Sequence, residues 1–401
     1  MKRKTLEDIQ VAGKRVLVRV DFNAPLDDRL HITDDTRLQA ALPTLEHLLD
    51  QGAALVLMSH LGRPKGKRLP QMSLKPVAER LGQLLGRPVQ LAPDCVGPEV
   101  ERLAGGLRPG QVLMLENLRF HPEEEKNDPE FARQLAALGE IYVDDAFGSA
   151  HRAHASTEGV ARHLAVRASG LLMEREIQYL RDAVQQPRRP FVAVLGGVKV
   201  SGKIELIENL LNKVDALLIG GAMAYTFFKA MGLEIGNSLL EAERVEVARQ
   251  TLARAEERGV QLLLPVDCVV ADRFAADAQT RVVARQEIPA GWLGMDIGPQ
   301  TRQLFTAQVS GAGMVIWNGP LGVCEMAPFA EGTRQVAQAL ARASAERGTL
   351  SIIGGGDTAG AIAQLGLSGQ MTHVSTGGGA SLECLSGLVL PGVAVLEREG
   401  G

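Results

Sequence analysis

Short apolar runs alternate with amphipathic stretches along almost the whole chain. Runs such as RVLVRVDF (15–22), ALVLMSH (54–60) and FVAVLG (191–196) have the length of strands and are bounded by turn residues. Between such runs, the stretches 38–50 and 241–259 place apolar residues at helical spacing. This alternation is typical of βα units and predicts a mostly parallel sheet.

The same pattern continues through both halves of the chain. The other predicted strands are 111–117, 141–148, 216–221, 262–270, 314–319, 350–356 and 371–379. The other predicted helices are 73–85, with Ser73 as N-cap, and 330–348. A long periodic stretch, 170–185, ends at QPRRP, after which βα alternation restarts. We therefore expect an α/β protein with two doubly wound, parallel-sheet (Rossmann-like) domains joined by a helix and a hinge.

Composition excludes several classes of protein. No apolar run reaches the ~18 residues of a membrane span, and the basic N-terminus MKRKTLEDIQ lacks the apolar core of a signal peptide, which predicts a cytoplasmic protein. A net charge of −4 disfavours nucleic acid and membrane surfaces as partners. The four cysteines, Cys95, Cys268, Cys324 and Cys384, are far apart and form no CxxC pair, so we interpret them as structural thiols rather than zinc ligands.

Glycine is enriched, with 44 residues, and it clusters where the strands of the second half end. The segments concerned are LGG (195–197), IGG (219–221), WNGP (317–320), IIGGGDT (352–358) and STGGG (375–379). Glycine lets backbone N–H groups approach phosphates, and a helix that begins just afterwards adds its dipole. Since ligands of open α/β sheets bind at the carboxyl ends of strands, the second half is predicted to bind a nucleotide.

The strands of the first half end in cationic and polar residues instead. These are Asp21, Asn23, His60, Arg63, Arg119, His121, His151, Arg152 and His154, and Arg37 follows the turn ITDDT. Guanidinium groups match the geometry of carboxylates and phosphates, so arginines gathered at one edge of a sheet predict a site for a small polyanion. Each arginine taken alone is better explained by a surface salt bridge than by a function.

The stretch LGGVKVSGKIE (195–205) has the spacing of a phosphate-binding P-loop as far as Lys203. The next residue is Ile204, whereas a P-loop needs a Ser or Thr hydroxyl there to hold magnesium. This disfavours a P-loop switch protein. A nicotinamide-dependent dehydrogenase is disfavoured too, because neither FNAPLDD nor LGGVKVSG supplies GxGxxG with an acid about 20 residues on.

Ten segments occur in the order and form of one known family. They are RVDFNAP, ITDDTR, SHLGRP, ENLRFH, DAFGSAHRAHAS, LGGVKVSGKI, IGGAMAYTF, WNGPLGVCE, GGGDTA and STGGGAS. In these segments the chain resembles the phosphoglycerate kinases. The resemblance implies a monomeric glycolytic enzyme that transfers a phosphoryl group directly and in line from 1,3-bisphosphoglycerate to Mg-ADP, giving ATP and 3-phosphoglycerate, after its domains close.

The resemblance also implies a division of the chain. It places a phosphoglycerate-binding domain at 1–168, an interdomain helix and hinge at 169–189, a nucleotide-binding domain at 190–384, and a C-terminal segment, 385–401, that returns to the first domain. Arg37 and Lys199 are the implied catalytic residues. The implied substrate ligands are Asp21, Asn23, Arg37, His60, Leu61, Gly62, Arg63, Arg119 and Arg152. The implied nucleotide ligands are Gly197, Lys199, Lys203, Gly221, Asn318, Pro320, Gly322, Glu325, Gly355, Gly356, Asp357 and Thr358, with Asp357 meeting the magnesium ion.

Four positions depart from the family's pattern. Val198 replaces an alanine, Ala222 a glycine, Cys324 a phenylalanine and Ser386 an acid. Val198 and Ala222 lie where the family packs the nucleoside, and a methylene or two in such a pocket is worth roughly 1–3 kcal/mol. The departures therefore bear on nucleoside preference and leave the phosphate chemistry intact.

Overall fold

The computed structural model describes residues 3–397. The chain divides into two compact units, one formed by Met1–Ile177 with Val389–Gly401 and the other by Gln178–Leu388.

The first unit contains a six-stranded sheet in which every strand pairing is parallel. Its strands are β1 (Arg15–Arg19), β2 (Ala54–Met58), β3 (Val89–Leu91), β4 (Val112–Met114), β5 (Ile141–Asp144) and β6 (Arg167–Ser169), in the spatial order β3-β4-β2-β1-β5-β6. Its helices are α1 (Thr36–Asp50), α2 (Lys75–Leu85), α3 (Pro98–Gly105), α4 (Pro122–Glu125), α5 (Pro129–Ala136) and α6 (Leu171–Ile177).

The central strands of this sheet are buried on both faces, which is why they appear in the sequence as continuous apolar runs. Val16, Val18 and Leu55 belong to one apolar core, and Leu17 and Val56 to another, as expected where successive side chains point to opposite faces. The edge strands β3 and β6 have three residues each and lack such a run, so the sequence did not predict them.

The second unit has a six-stranded sheet of its own, again parallel throughout. Its strands are β7 (Phe191–Leu195), β8 (Ala216–Ile219), β9 (Gln261–Leu263), β13 (Met314–Asn318), β14 (Leu350–Gly354) and β15 (His373–Val374), in the order β15-β14-β13-β7-β8-β9. Its helices are α7 (Ala183–Gln185), α8 (Ile204–Leu210), α9 (Met223–Ala230), α10 (Val245–Glu257), α11 (Pro299–Gly311), α12 (Glu331–Arg347), α13 (Gly356–Gln364) and α14 (Gly379–Leu385).

A three-stranded antiparallel sheet accompanies the parallel sheet of the second unit. It consists of β10 (Asp267–Ala271), β11 (Thr280–Ala284) and β12 (Leu293–Ile297), in the order β11-β10-β12. The prediction of one strand over 262–270 is wrong, because that run is divided between β9 and β10. Pro265 lies in the gap and has no N–H to donate to a sheet ladder.

After the second unit the chain returns to the first as helix α15 (Pro391–Glu397). The amide of Gly392 donates to the Ala150 carbonyl at 2.9 Å, and Val395 and Leu396 join an apolar core of the first unit. A Cβ on Gly392 would lie 3.0 Å from the Cα of Ala150, so a side chain there would push the two segments apart by a few tenths of an ångström.

The predicted fold class, two parallel-sheet α/β domains, is confirmed. One local prediction is wrong: the N-cap of α2 is Leu74 rather than Ser73. The Ser73 hydroxyl instead donates to Glu116 at 2.7 Å while accepting from the Lys75 amide at 3.2 Å. Within residues 3–397, no helix combines the length and apolar character that a membrane crossing requires.

Candidate active site

Most of the predicted substrate residues follow the strands of the first unit at one edge of its sheet. Asp21 and Asn23 come after β1, and the segment 60–63 comes after β2. Arg119 follows β4 and Arg152 follows β5. Because these strands are parallel neighbours, their carboxyl ends meet at the same edge. We refer to this set, together with Arg37 of α1, as the cationic strand ends.

Asn117 organises the cationic strand ends. Its Oδ1 accepts from the amides of Leu61 at 3.2 Å and Arg119 at 3.1 Å. Its Nδ2 donates to the carbonyls of Leu61 at 2.7 Å and Met72 at 2.8 Å. The side chain is fully buried, so all four bonds are made in a site that excludes water. Asn117 therefore aligns the segment after β2 with the segment after β4.

Two further bonds hold the segment after β2 in place. The Gly62 amide donates to Asn23 Oδ1 at 2.8 Å, and Arg119 Nη1 donates to the Gly62 carbonyl at 2.9 Å. Gly62 has a φ of 62°, a left-handed conformation that favours glycine. Three of the strand ends thus meet at this one residue.

Arg37 contacts the carboxylate of Asp21, with Nη1 and Oδ1 2.8 Å apart. Burial alone would raise the pKa of Asp21, but His60, Arg37 and Arg19 outweigh it and lower that pKa to about 2. Asp21 is consequently ionised at any physiological pH. Its charge and its contact hold the Arg37 guanidinium in one orientation.

The remaining cations of this edge differ in burial. Arg119 is buried, and its Nε lies 3.5 Å from Glu125. Arg63 and Arg152 are exposed, and neither forms an ion pair with an acidic residue among those that the structure describes. Burial lowers the pKa of Arg119, and Arg19 and Arg152 act in the same direction, while Glu125 and Glu124 act against them.

The glycine segments of the second unit pack against one another at the carboxyl ends of its strands. The Gly197 amide donates to the Pro320 carbonyl at 2.8 Å, and the Gly221 amide donates to the Leu321 carbonyl at 3.0 Å. A Cβ on Gly221 would lie 2.5 Å from the Gly197 nitrogen. Three strand ends can approach this closely only because side chains are absent. We call residues 196–203, 219–222, 318–325 and 355–358 the glycine-rich strand ends.

Lys203 is a half-buried cation of this surface. Its Nζ donates to Oδ1 of Asn318 and lies 3.4 Å from the Asn318 carbonyl oxygen. Burial lowers the pKa of Lys203 to about 8, although Asp357 acts in the opposite direction. Thr358 is fully buried and its Oγ1 accepts from the Gly319 amide at 2.6 Å, while Gly355, with a φ of 86°, lies against the Asn318 side chain.

A cavity of about 450 Å³ opens beside these residues. Six predicted nucleotide residues line it, namely Gly197, Gly221, Pro320, Gly322, Glu325 and Asp357. Its walls are otherwise mainly apolar, and Val198, Leu239 and Phe274 are more than half exposed at this site. A flat apolar ring system suits such walls. Val198 and Ala222, two departures from the family pattern, both line the cavity.

Three predicted residues lie outside these hydrogen-bonded networks. Lys199 and Gly356 are exposed, the latter as the first residue of α13. Asp357, also exposed, neither accepts a hydrogen bond nor forms an ion pair within residues 3–397. A carboxylate without a protein partner at a helix start is available to a ligand or a metal ion.

Sequence reasoning missed several residues that support the two surfaces. Asn117 is inside the motif ENLRFH, in which the residue types indicate only Arg119 and His121. Arg19 is hidden in an apolar strand, and Glu124, fully buried, lies in the run PEEEK, which looks like a solvated surface. None of these positions has a local pattern that distinguishes it.

Two other features do not compete with this site. A cleft of about 730 Å³ lies along residues 29–35 and α2, but none of the predicted ligands lines it. Asp94, Cys95 and His121 are close enough to share a metal ion. However, His121 Nε2 lies 2.6 Å from Asp94, the Cys95 thiol donates to the Glu116 carbonyl at 2.9 Å, and burial raises the pKa of that thiol. The trio is satisfied by the protein alone.

The fold and the two surfaces define a class of protein: a two-unit α/β enzyme that handles phosphorylated ligands. A family model described as phosphoglycerate kinase matches residues 6–388. A phosphoglycerate kinase of Chloroflexus aurantiacus is 59% identical over 399 residues, which cover 99% of each chain. One of Chloroherpeton thalassium is 57% identical over 398 residues, covering 99% of this chain and 100% of the relative.

A solved structure agrees with these relatives. The phosphoglycerate kinase of Coxiella burnetii superimposes with a TM-score of 0.90 at 41% identity, covering 100% of this chain and 99% of that one. The chain therefore belongs to the phosphoglycerate kinase family. It is a kinase, and its reaction is the ATP-forming phosphoryl transfer of glycolysis. The predicted family and activity are confirmed.

Proposed function

We propose that the chain transfers the acyl phosphate of 1,3-bisphosphoglycerate to Mg-ADP, reversibly, giving ATP and 3-phosphoglycerate. One observation carries this proposal: the strand ends of the first unit gather cationic residues, and those of the second unit gather glycines. A cationic surface suits the small glycerate, which carries an anionic group at each end. A glycine-lined surface beside an apolar cavity suits a nucleoside polyphosphate.

In the first unit, Arg63, Arg119 and Arg152 supply charge for the remote phosphate. Arg63 and Arg152 are exposed and have no acidic partner among the described residues, so their guanidinium groups are available to the ligand. Asp21, Asn23, His60 and the backbone of Leu61 and Gly62 surround the glycerate carbons and hydroxyl. Arg37, oriented by Asp21, faces the phosphoryl group that is transferred.

In the second unit, the base enters the cavity lined by Gly197, Gly221, Pro320 and Gly322, and Glu325 receives the ribose. Lys203 and Asn318 hold the nucleotide phosphates, assisted by the N-terminus of α13 with Gly355, Gly356 and Thr358. Lys199 acts on the phosphoryl group during its transfer.

Asp357 is the residue that would hold magnesium. Asp357 lines the nucleoside cavity, and its carboxylate has no protein partner among the described residues, so it would fit a hard cation. When bound, the ion neutralises charge on the nucleotide phosphates. The cations of the protein then stabilise the charge that spreads over the equatorial oxygens.

Transfer of this kind needs no general base, because an acyl phosphate is an activated donor and the attacking ADP oxygen is already ionised. Since the ligands bind to separate units, we propose that the units close before direct in-line transfer, and that closure excludes water. We further propose that the enzyme acts in the cytoplasm as a monomer, without nucleic acid or membrane partners. Light scattering across a concentration series tests whether the enzyme is a monomer.

The decisive experiment is a coupled assay of ATP formation from ADP and 1,3-bisphosphoglycerate. Magnesium-dependent ATP formation is expected. Hydrolysis of ATP at the same rate with and without phosphoglycerate would contradict the proposal, because it would indicate a nucleotide hydrolase.

Three variants then separate the roles of the cations. Arg37→Ala and Lys199→Ala should each lower kcat on the order of 10²-fold or more, as expected for groups that act on the transition state. Arg119→Ala should mainly raise the KM for 3-phosphoglycerate. A normal kcat in Lys199→Ala or Arg37→Ala would show that the residue contributes to binding and not to the transition state. Circular dichroism of each variant excludes misfolding.

A further inference from the structure

Arg19 lies in β1 behind the cationic strand ends and is 1% exposed. Its Nε donates to the Ser156 hydroxyl at 2.8 Å, and its Nη1 donates to the Val20 carbonyl. Its Nη2 lies 3.2 Å from Nδ1 of His60 and 3.5 Å from the Ser149 hydroxyl. Every nitrogen of a buried guanidinium is therefore occupied by the protein, and one of them by a proposed substrate residue.

The direction of these bonds follows from chemistry. A guanidinium group has five N–H donors and no acceptor, so Nδ1 of His60 must accept from Arg19. The Ser156 hydroxyl lies 2.6 Å from Glu124 Oε1 and gives its single hydrogen to that carboxylate. Its oxygen is thus free to accept from Arg19. The chain of hydrogen bonds from Glu124 to His60 has only one consistent polarity.

A histidine whose Nδ1 accepts a hydrogen bond is neutral and carries its hydrogen on Nε2. We propose that Arg19 is a positioning residue that holds His60 in this tautomer and so presents the Nε2–H to an oxygen of the phosphoglycerate. Within residues 3–397, no protein group forms a hydrogen bond with Nε2 of His60. The tautomer follows from hydrogen bonds within the protein, whereas the hydrogen bond from Nε2–H to the ligand rests on the proposed function.

The charges that face His60 act in the same direction. Burial lowers the pKa of His60 well below its ordinary value, and Arg19, Arg119 and Arg37 lower it further, against the opposing effect of Asp21. A protonated ring would also turn an Nδ1–H towards the Arg19 guanidinium. His60 thus contributes one directed hydrogen bond to a site whose positive charge comes from arginines. The hydrogen bond from Nε2–H depends on the orientation of the ligand.

The test uses the complete, ligand-free protein labelled with ¹⁵N-histidine. Long-range ¹H–¹⁵N correlation spectra distinguish the two neutral tautomers and the imidazolium, and His60→Gln identifies the His60 signals. The expected spectrum is that of the Nε2–H tautomer, unchanged between pH 5.5 and 8, a window that spans the ordinary histidine pKa of about 6.5. An imidazolium, an Nδ1–H form or a mixture at pH 7 in the unmodified protein would overturn the inference without any variant.

Variants then test the part played by Arg19. In Arg19→Met we expect a mixture of tautomers, titration of His60 nearer its ordinary range, and a KM for 3-phosphoglycerate raised about tenfold, as for one lost hydrogen bond to a ligand. Arg19→Lys, which keeps a cationic donor, should partly restore both readouts. Arg15→Met, at the other end of the same strand, is the matched control and should leave the His60 spectrum as it was.

Two outcomes separate this inference from the proposed function. An unchanged His60 spectrum in a folded Arg19→Met protein would show that Arg19 does not set the tautomer. If 3-phosphoglycerate fails to shift the Nε2–H signal of the unmodified protein, the proposed ligand role of His60 is wrong, and the presentation of this group to substrate is wrong with it.

Discussion

Asn117→Asp removes two hydrogen bonds without changing the shape of the side chain. The amide Nδ2, which donates to the carbonyls of Leu61 and Met72 at 2.7 and 2.8 Å, becomes an oxygen that faces both as a competing acceptor. A buried polar group left without its partner costs about 1–3 kcal/mol. Two such carbonyls should therefore lower the free energy of unfolding of the first unit by about 2–6 kcal/mol. The new carboxylate is buried, which adds to this loss.

The functional consequence follows from the same bonds. Asn117 aligns the segments of Leu61 and Arg119, which we propose contact the glycerate. Misalignment that costs about 1.4 kcal/mol of ligand contact raises the KM for 3-phosphoglycerate about tenfold. The KM for ADP should change little, because the proposed nucleotide residues belong to the second unit.

Urea unfolding separates the two units by their chromophores. Both tryptophans, Trp292 and Trp317, belong to the second unit, so their fluorescence follows that unit, while far-ultraviolet circular dichroism follows the helices of both. Asn117→Asp should move the dichroism transition to lower urea more than the fluorescence transition. Asn212→Asp, the same change at an exposed position, is the control. An unchanged urea midpoint together with an unchanged KM for 3-phosphoglycerate would refute the reasoning.

Three further predictions concern the second unit. Asp357→Asn should raise the magnesium concentration needed for half-maximal rate and leave phosphoglycerate binding intact; an unaltered magnesium titration would place the ion elsewhere. Gly221→Ala, with a Cβ 2.5 Å from the Gly197 nitrogen, should weaken ADP binding measured by calorimetry, whereas Gly232→Ala, with open space around it, should not. Nucleotide affinity should fall as pH rises through about 8, where Lys203 loses its charge, and Lys203→Arg should abolish that inflection.

The sequence by itself determined the fold class and the chemistry of each proposed ligand surface. Central parallel strands are buried on both faces, so their apolar runs are visible without any knowledge of their neighbours. Cations follow the strands of the first half and glycines those of the second, and parallel strands bring such residues to one edge of a sheet. The order of the motifs then predicted the family.

The tertiary structure alone decided which side chains support these surfaces. Asn117 reaches Leu61 across 56 residues of chain and Arg19 reaches Ser156 across 137, separations that no local periodicity records. The antiparallel sheet β10–β12 and the edge strands β3 and β6 depend on pairing with distant strands rather than on a long apolar run. The tautomer of His60 depends on the guanidinium of Arg19, which lies 41 residues earlier in the chain. Only the fold brings this group, which can donate hydrogen bonds but cannot accept them, to Nδ1 of His60.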